Sequence, residues 1–456
     1  MKPSRKSVHT KASAMPELRF EDARLTSFAG LVIIAQLWTR LKLKARLQTC
    51  FRHLSGGQIF DRATLFLQLI IHLLLGFREL RDVAHYQEDP LVQRVLGLKR
   101  IPNASTLSRM LKQADAKSVA GLRELLTELV LGRLRSLKPH RVTLDFDGSV
   151  QSTKRHAEGT AVGFNKQKKG ARSYYPLFCT LAQTGQVFSF LHRSGNVHDS
   201  NGAREFILQC VREIRAALPG VIIEVRMDSA FFSDEIITAL DAAGCEFTIS
   251  VPFERFVELK EMIEGRKQWF AIDDDVSYFE KQWKPKSWPR QFRFLLVRTR
   301  SKQQRKGPVQ LDLFRPHEYG YEFKVIVTNK DVSAAATIDF HSGRGSQENT
   351  FGELKSHCQM AYIPVRTRAG NETYLLASLF AFNLMRELQM QTSPPQRSTN
   401  PKRAALWVFE RVDTIRRTWL QRAGRLTTPA GKLTLTFCAG KNLKERILQL
   451  VQALAA

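Results

Sequence analysis

Between about residue 20 and residue 139, apolar side chains recur at three- and four-residue spacings through Leu31 to Leu47, Leu65 to Leu80 and Val119 to Leu134. Strand-like alternation is almost absent there, so the spacing predicts an all-helical region. The run LFLQLIIHLLLGF, residues 65–77, is the most apolar of the chain. It carries Gln68 and His72 and falls short of the roughly 20 residues that a bilayer requires, so it reads as a core helix rather than an anchor. In IPNASTLSRMLKQAD, Pro102 marks a helix start with Asn103 or Ser105 as cap, and Leu107, Met110 and Leu111 face inward. A short helix after a tight turn fits a helix-turn-helix and a plain bundle equally well.

At Arg141 the period changes to two. RVTLDFD alternates cleanly, and YYPLFCTLA and GQVFSFLHRSG follow as an antiparallel pair about Thr184 and Gly185. NGAREFILQCVREIRAAL is an amphipathic helix stopped by Pro219 and Gly220; VIIEVRMDS is a strand, SDEIITALDAAG a helix and CEFTISVP a strand. Three strands followed by alternating helix and strand predict a mixed-sheet α/β domain with parallel crossovers. Strand character returns in FRFLLVRTR and YEFKVIVTN, so residues 253–330 read as a β-rich insertion. A helix around residue 348 and the apolar helix TYLLASLFAFNLMREL then close the core. Pro394, Pro395 and Pro401 mark a linker over residues 391–404. The resulting division is a helical region (1–139), an α/β domain in two parts (140–252 and 331–390), the insertion between them, and a basic C-terminal region (391–456).

Composition changes the picture in one respect. The chain of 456 residues has 70 Lys and Arg against 43 Asp and Glu, a formal net charge of +27, which marks a partner for polyanions. The basic residues run from the Lys2, Arg5, Lys6 tail through Lys166 to Lys169, Lys281 to Arg305 and Arg411 to Arg425, which suits a long binding surface. Six cysteines lie far apart without a C-x2-C pair, against zinc fingers and disulfide frameworks. No secretory h-region opens the chain, so a reducing intracellular compartment is expected, with no membrane association.

Against that charge, three acidic positions stand out. In the first strand Val142, Leu144 and Phe146 share one side, leaving Thr143, Asp145 and Asp147 on the other. Two carboxylates on one face call for a cation or a solvent opening, although Asp before Gly148 and Ser149 is also ordinary turn chemistry. Asp228 ends an apolar strand just before a helix, where α/β sheets place their ligands; Asp228 or Ser233 could equally serve as a helix cap. Finally FHSGRGSQENTFGELK spaces His341, Arg344, Glu348 and Lys355 so that, on a continuous helix, they occupy a stripe about 60° wide. Such a stripe is either solvated decoration or a metal ligand beside phosphate-binding cations. Two carboxylates on strands and one on a following helix form a set able to hold two divalent ions about 3.5 to 4 Å apart.

These segments resemble the bacterial insertion-sequence DDE transposases that carry a Tyr-Arg-Glu-Lys signature. LDFDGSV resembles the first-Asp strand, VRMDSAFFS the second, and RGSQENTFGELK the signature helix. Further similarity runs through GFNKQKKGARSYYPL, RSGNVHDS and LRDVAHYQEDPLVQRVLGLKRIPNASTLSR. The resemblance implies an RNase H-like (retroviral-integrase-like) catalytic domain interrupted by a β-rich insertion, with a helical DNA-binding region before it. It implies Asp147, Asp228 and Glu348 as catalytic ligands of two Mg2+ or Mn2+ ions, with Asp147 preferred to Asp145. Arg344 and Lys355 would contact transposon-end phosphates. His341 stands where the family has Tyr, with a charge expected to vary near neutral pH. Trp283, with Trp269 and Trp288 among basic neighbours, is a candidate for stacking on an unpaired base, although core packing is the commoner fate of a single Trp. The implied activity is cutting at terminal inverted repeats and joining of the 3′-hydroxyls to target DNA, by a homodimer on two paired double-stranded ends, in the bacterial cytoplasm. A nuclease of the same fold without strand transfer, and a non-catalytic DNA-binding derivative, are the alternatives.

Overall fold

The structure is a computed structural model of the full chain; it describes residues 15, 17–54, 59–163, 165, 168–301, 320–396 and 404–455. Lys2, Arg5, Lys6, Lys166, Arg305 and Pro401 lie outside the described residues.

The helical region forms as its periodicity predicts. Helices α1 (Leu31–Arg40), α2 (Leu43–Phe51), α3 (Arg62–Leu74), α4 (Pro90–Leu96), α5 (Ala104–Lys112) and α6 (Ala116–Leu137) share one apolar core. The expected run from Leu31 to Leu47 is broken at Lys42, whose φ of 50° is left-handed. Asn103, rather than Ser105, caps α5 by accepting the Thr106 amide at 3.0 Å, and Leu107, Met110 and Leu111 are buried. Capping satisfies one of the amides that a helix start leaves without a partner.

A nine-stranded sheet follows: β1 (Arg141–Gly148), β2 (Leu177–Leu181), β3 (Val187–Leu191), β4 (Ile222–Met227), β5 (Glu246–Val251), β6 (Phe270–Ala271), β7 (Val276–Trp283), β8 (Phe292–Arg300) and β9 (Tyr321–Thr328). Its spatial order is β6-β7-β8-β9-β5-β4-β1-β2-β3. Strands β1, β2 and β3 are antiparallel neighbours, while β4 pairs parallel with β1 and β5 parallel with β4. Helices α7 (Ala203–Ala217) and α8 (Asp234–Ala242) occupy the connections into β4 and β5, as parallel strands require. The order 3-2-1-4-5 with this mixture of directions is the RNase H-like sheet. The β-rich insertion prolongs that sheet: β9 pairs antiparallel with β5, so β6 to β9 extend one continuous surface rather than forming a body of their own. Helix α9 (Val257–Glu264) packs with them.

Val142, Leu144 and Phe146 of β1 enter the core under α7 and α8, as the alternation predicts. The opposite face meets α10 (Ala334–Ser342), α11 (Gly345–His357) and the 25-residue α12 (Arg368–Thr392). Phe178, Val187 and Phe190 of the sheet join Phe351, Leu354 and the α12 side chains in the core of the helical region. Asn383 of α12 also bonds both backbone groups of Val187 on the edge strand, at 2.9 and 2.7 Å. Two cores therefore meet across one sheet.

The C-terminal region is part of the same body. Gly424–Thr427 and Thr434–Phe437 form a small sheet with Leu25–Thr26, and α13 (Lys441–Ala455) sends Ile447, Leu450 and Leu454 into the helical core. All six cysteines are free. Among the described residues no helix is long and apolar enough to cross a membrane.

Candidate active site

Asp147 and Asp228 come together because β1 and β4 run parallel in register. Phe146 pairs with Met227, so each carboxylate follows the last matched pair of two strands about 4.8 Å apart. Asp147 is 21% exposed and turns one oxygen to the Gly148 amide at 2.7 Å. Burial, then the neighbouring Asp228 charge, push its pKa up to about 7, against the pull of Arg344. Asp228 is likewise raised, mainly by burial. It accepts the Ala230 amide at 3.0 Å, but Ser233 caps the following α8, so Asp228 is spent only on a three-residue turn.

Asp145 has a different fate. It is 1% exposed and grips Arg226 through two hydrogen bonds of 2.6 and 2.7 Å, while Arg226 also donates to the Phe340 carbonyl at 2.9 Å. A buried carboxylate so neutralised ties β1, β4 and α10 together and offers no free oxygen to a ligand.

The motif expected on one continuous helix is divided in two. Gly343 and Arg344 separate α10 from α11: their dihedrals stay right-handed, but three-residue hydrogen bonds such as Arg344 N–H to the His341 carbonyl tighten the chain there. His341 therefore does not share a face with Glu348. It is 1% exposed on α10, with its two ring nitrogens 3.0 Å from the Thr248 hydroxyl and 2.9 Å from the Ser250 hydroxyl of β5. Burial, with Lys324, Arg344 and Arg226 nearby, drives its pKa well below the ordinary value. The expected charge change near neutral pH is thus replaced by a buried ring that pins α10 to the sheet through the Thr248 and Ser250 hydroxyls.

On α11, Gln347 is buried and donates to the Asp145 carbonyl at 2.9 Å, which docks the helix against β1. The adjacent Glu348 side chain is 67% exposed. Arg344 stands between the acids, 3.8 Å from Asp147 and 3.8 Å from Glu348. Lys355 lies further along α11, exposed and close enough to interact with the Asp147 charge; partial burial lowers its pKa. Among the described residues no three acidic, His or Cys side chains are gathered around one point, because Glu348 stays outside the pair of aspartates. The donors nonetheless suit a hard divalent cation: all are carboxylate oxygens, and the two aspartates repel one another without a cation between them.

Trp283 is not placed to stack on a base. It is 9% exposed and packs edge-on against Phe256 and Phe294 in the core of the extended sheet, while Trp288 stacks on Phe232.

A fourth carboxylate escaped the sequence reading. Asp199, in the RSGNVHDS segment, accepts the Tyr175 hydroxyl at 3.0 Å and lies 3.5 Å from Arg193, and its charge reaches both Asp147 and Asp228. Tyr175 and Asp199 cover Gly148: a Cβ there would stand 2.4 Å from the Tyr175 ring and 2.7 Å from an Asp199 oxygen. Any side chain after Asp147 would require Tyr175 and Asp199 to shift. The sequence signals for Asp199 were its place in RSGNVHDS, one of the segments that carry the family resemblance, and in a polar loop without a period.

Two carboxylates at the ends of the central parallel strands of an RNase H-like sheet, with Arg344 and Lys355 beside them, make up this edge of the molecule. The chain belongs to the family described as Transposase DDE domain group 1, whose sequence profile matches residues 9–456. No curated protein sequence matches it significantly. Among solved structures it is similar to piggyBac transposase in a synaptic complex with hairpin DNA, at 10% identity and a TM-score of 0.42, covering 82% of this chain and 78% of that one. It is also similar to Mos1 mariner transposase in a paired-end complex with Mn, at 10% identity and a TM-score of 0.17, covering 43% of this chain and 60% of that one.

Proposed function

We propose that the protein is a DNA transposase that binds the terminal inverted repeats of an insertion sequence, cuts at its ends and joins the freed 3′-hydroxyls to target DNA. The observation that carries the reading is the pairing of Asp147 with Asp228 at the ends of β1 and β4, in a chain of the DDE transposase family. Asp147, Asp228 and Glu348 would hold Mg2+ or Mn2+. A bound divalent ion would supply Lewis acidity at the phosphate and lower the pKa of an attacking water.

The chain's own residues account for the rest. Asp145 is consumed by Arg226, which supports Asp147 as the first ligand. Tyr175 and Asp199 close the floor over Gly148 and restrict where a phosphate can rest. Arg344 and Lys355 bring positive charge to the open side, where a phosphodiester has to approach. Arg344 now faces the carboxylates, and an arriving phosphate would compete for its guanidinium, freeing Glu348 to turn toward the aspartates. The basic chain as a whole concentrates duplex DNA near this edge. Two subunits would hold the two ends of one element.

The test is to incubate purified protein and Mg2+ with a plasmid carrying the gene and its flanking DNA, together with a target plasmid. End-specific 3′-hydroxyl nicks and joined products are expected. Cutting without joined product would leave a nuclease, and DNA binding without cutting a non-catalytic derivative.

A further inference from the structure

The three short strands Gln151–Thr153, Ala161–Val162 and Arg172–Tyr174 form an antiparallel sheet separate from the main one, with the third strand in the centre. This flap leaves the main sheet at Gly148 and returns at Leu177, and those two residues are paired partners on β1 and β2. Its base is therefore the strand end that bears Asp147. Lys154, Arg155, His156, Lys168 and Lys169 are all exposed on it. Among the described residues none of those Lys or Arg side chains is engaged in an ion pair. The sole carboxylate of the segment, Glu158, accepts the Arg368 amide at the start of α12 at 3.0 Å.

The flap is also held in place. A Cβ on Gly163 would lie 1.8 Å from the Gly195 carbonyl, and one on Gly195 would lie 2.2 Å from the Ser173 hydroxyl, so two backbones touch where no side chain fits. Gln151 donates to the Met360 carbonyl at 2.9 Å, Asn165 to the Ser152 hydroxyl at 2.7 Å, and Tyr174 to the Glu158 carbonyl. Arg172 is turned inward onto Thr160. The segment thus uses one arginine as a brace and leaves four cations outside that have no ion-pair partner among the described residues. A solvated surface with no partner gains little from such pinning, whereas a preformed cationic edge binds without an ordering cost.

We infer that the strands Gln151–Thr153, Ala161–Val162 and Arg172–Tyr174 form a DNA-gripping flap whose Lys154, Arg155, Lys168 and Lys169 neutralise backbone phosphates beside the bond being cut. Reach supports it. Seven residues separate Asp147 from Lys154, at most about 25 Å of extended chain, less than the roughly 34 Å of one turn of duplex. The contacts would be to phosphates and independent of sequence, since the exposed groups are mobile cations rather than paired amides aimed at base edges. The inference rests on the reading that duplex DNA is the substrate.

The experiment measures binding of a fluorescein-labelled duplex of arbitrary sequence to the full-length protein in EDTA, as a function of salt. Four lost phosphate contacts make the slope of log K against log salt shallower by about 3 to 4. The variant K154A/R155A/K168A/K169A should show that change, with affinity at low salt reduced and the melting temperature kept. The charge-preserving variant K154R/R155K/K168R/K169R should retain the wild-type slope. A quadruple alanine variant with the wild-type slope overturns the flap while leaving the transposase reading intact. A wild-type protein that does not bind duplex DNA overturns both.

Discussion

Replacing Asp147 by Asn removes a charge that the metal-free protein holds at a cost. Its carboxyl rises from an ordinary 3.8 to about 7, through burial first and the Asp228 charge second. The folded protein therefore keeps a proton that the unfolded chain releases near pH 4. Between pH 4 and 7 the unfolded state binds fewer protons, so stability falls as pH rises, and the full cost is present above pH 7. At about 1.36 kcal/mol per pH unit this comes to about 4 kcal/mol, and partial exposure reduces it to about 2 to 4 kcal/mol. D147N should accordingly be more stable than the wild type at pH 8 by that amount and equal to it at pH 4, read from urea midpoints in EDTA. Adding Mg2+ at pH 8 should close the gap, because a ligand bound only by the folded wild type stabilises it by mass action. An Asn variant no more stable than the wild type at pH 8, or one with the same advantage at pH 4, would refute the reasoning.

Four other outcomes follow from the geometry. Glu348→Ala should keep duplex affinity in a fluorescence assay and lose cleavage; normal cleavage would sink its assignment as a ligand. Arg226→Met leaves Asp145 buried and unpaired and should destabilise by about 3 to 5 kcal/mol in chemical denaturation, more than any exposed arginine does. His341→Ala strips the Thr248 and Ser250 hydroxyls of their partner and opens a small cavity, costing about 2 to 3 kcal/mol with DNA affinity unchanged; weaker binding at full stability would return the histidine to the interface. Gly148→Ala drives a methyl into Tyr175 and Asp199 and should cost about 1 to 3 kcal/mol along with most cleavage activity, whereas a neutral result would show that the two side chains move freely.

The elements most legible in the sequence were those whose period is local. The alternation of RVTLDFD placed Val142, Leu144 and Phe146 under the helices and the acidic side chains opposite, and the apolar spacing of residues 107, 110 and 111 placed α5. What failed depended on partners distant in the chain. Nothing local distinguishes Asp145 from Asp147, because the difference is Arg226, 81 residues from Asp145. His341 looked like part of a surface stripe because helical geometry was extended through Gly343, and the hydroxyls that claim it belong to β5. That the β-rich insertion continues the main sheet was not legible, because antiparallel pairing of β9 with β5 has no mark in either strand. Asp199 was hidden in a loop, where position follows from Tyr175 and Arg193 rather than from any repeat.

The division of the acidic residues between two packing units bears on how the chain behaves while it is being made. Asp147 and Asp228 sit at the ends of strands cored by α7 and α8, whereas Glu348 rides on α11, whose Phe351 and Leu354 belong to the helical core completed by α12 and α13. A nascent chain that has emerged only as far as Lys330 already holds both aspartates and the basic flap, yet it lacks the third carboxylate and half of the surface against which that carboxylate docks. On the function proposed above, cleavage waits until synthesis has passed α12, a delay built from the order of the segments alone.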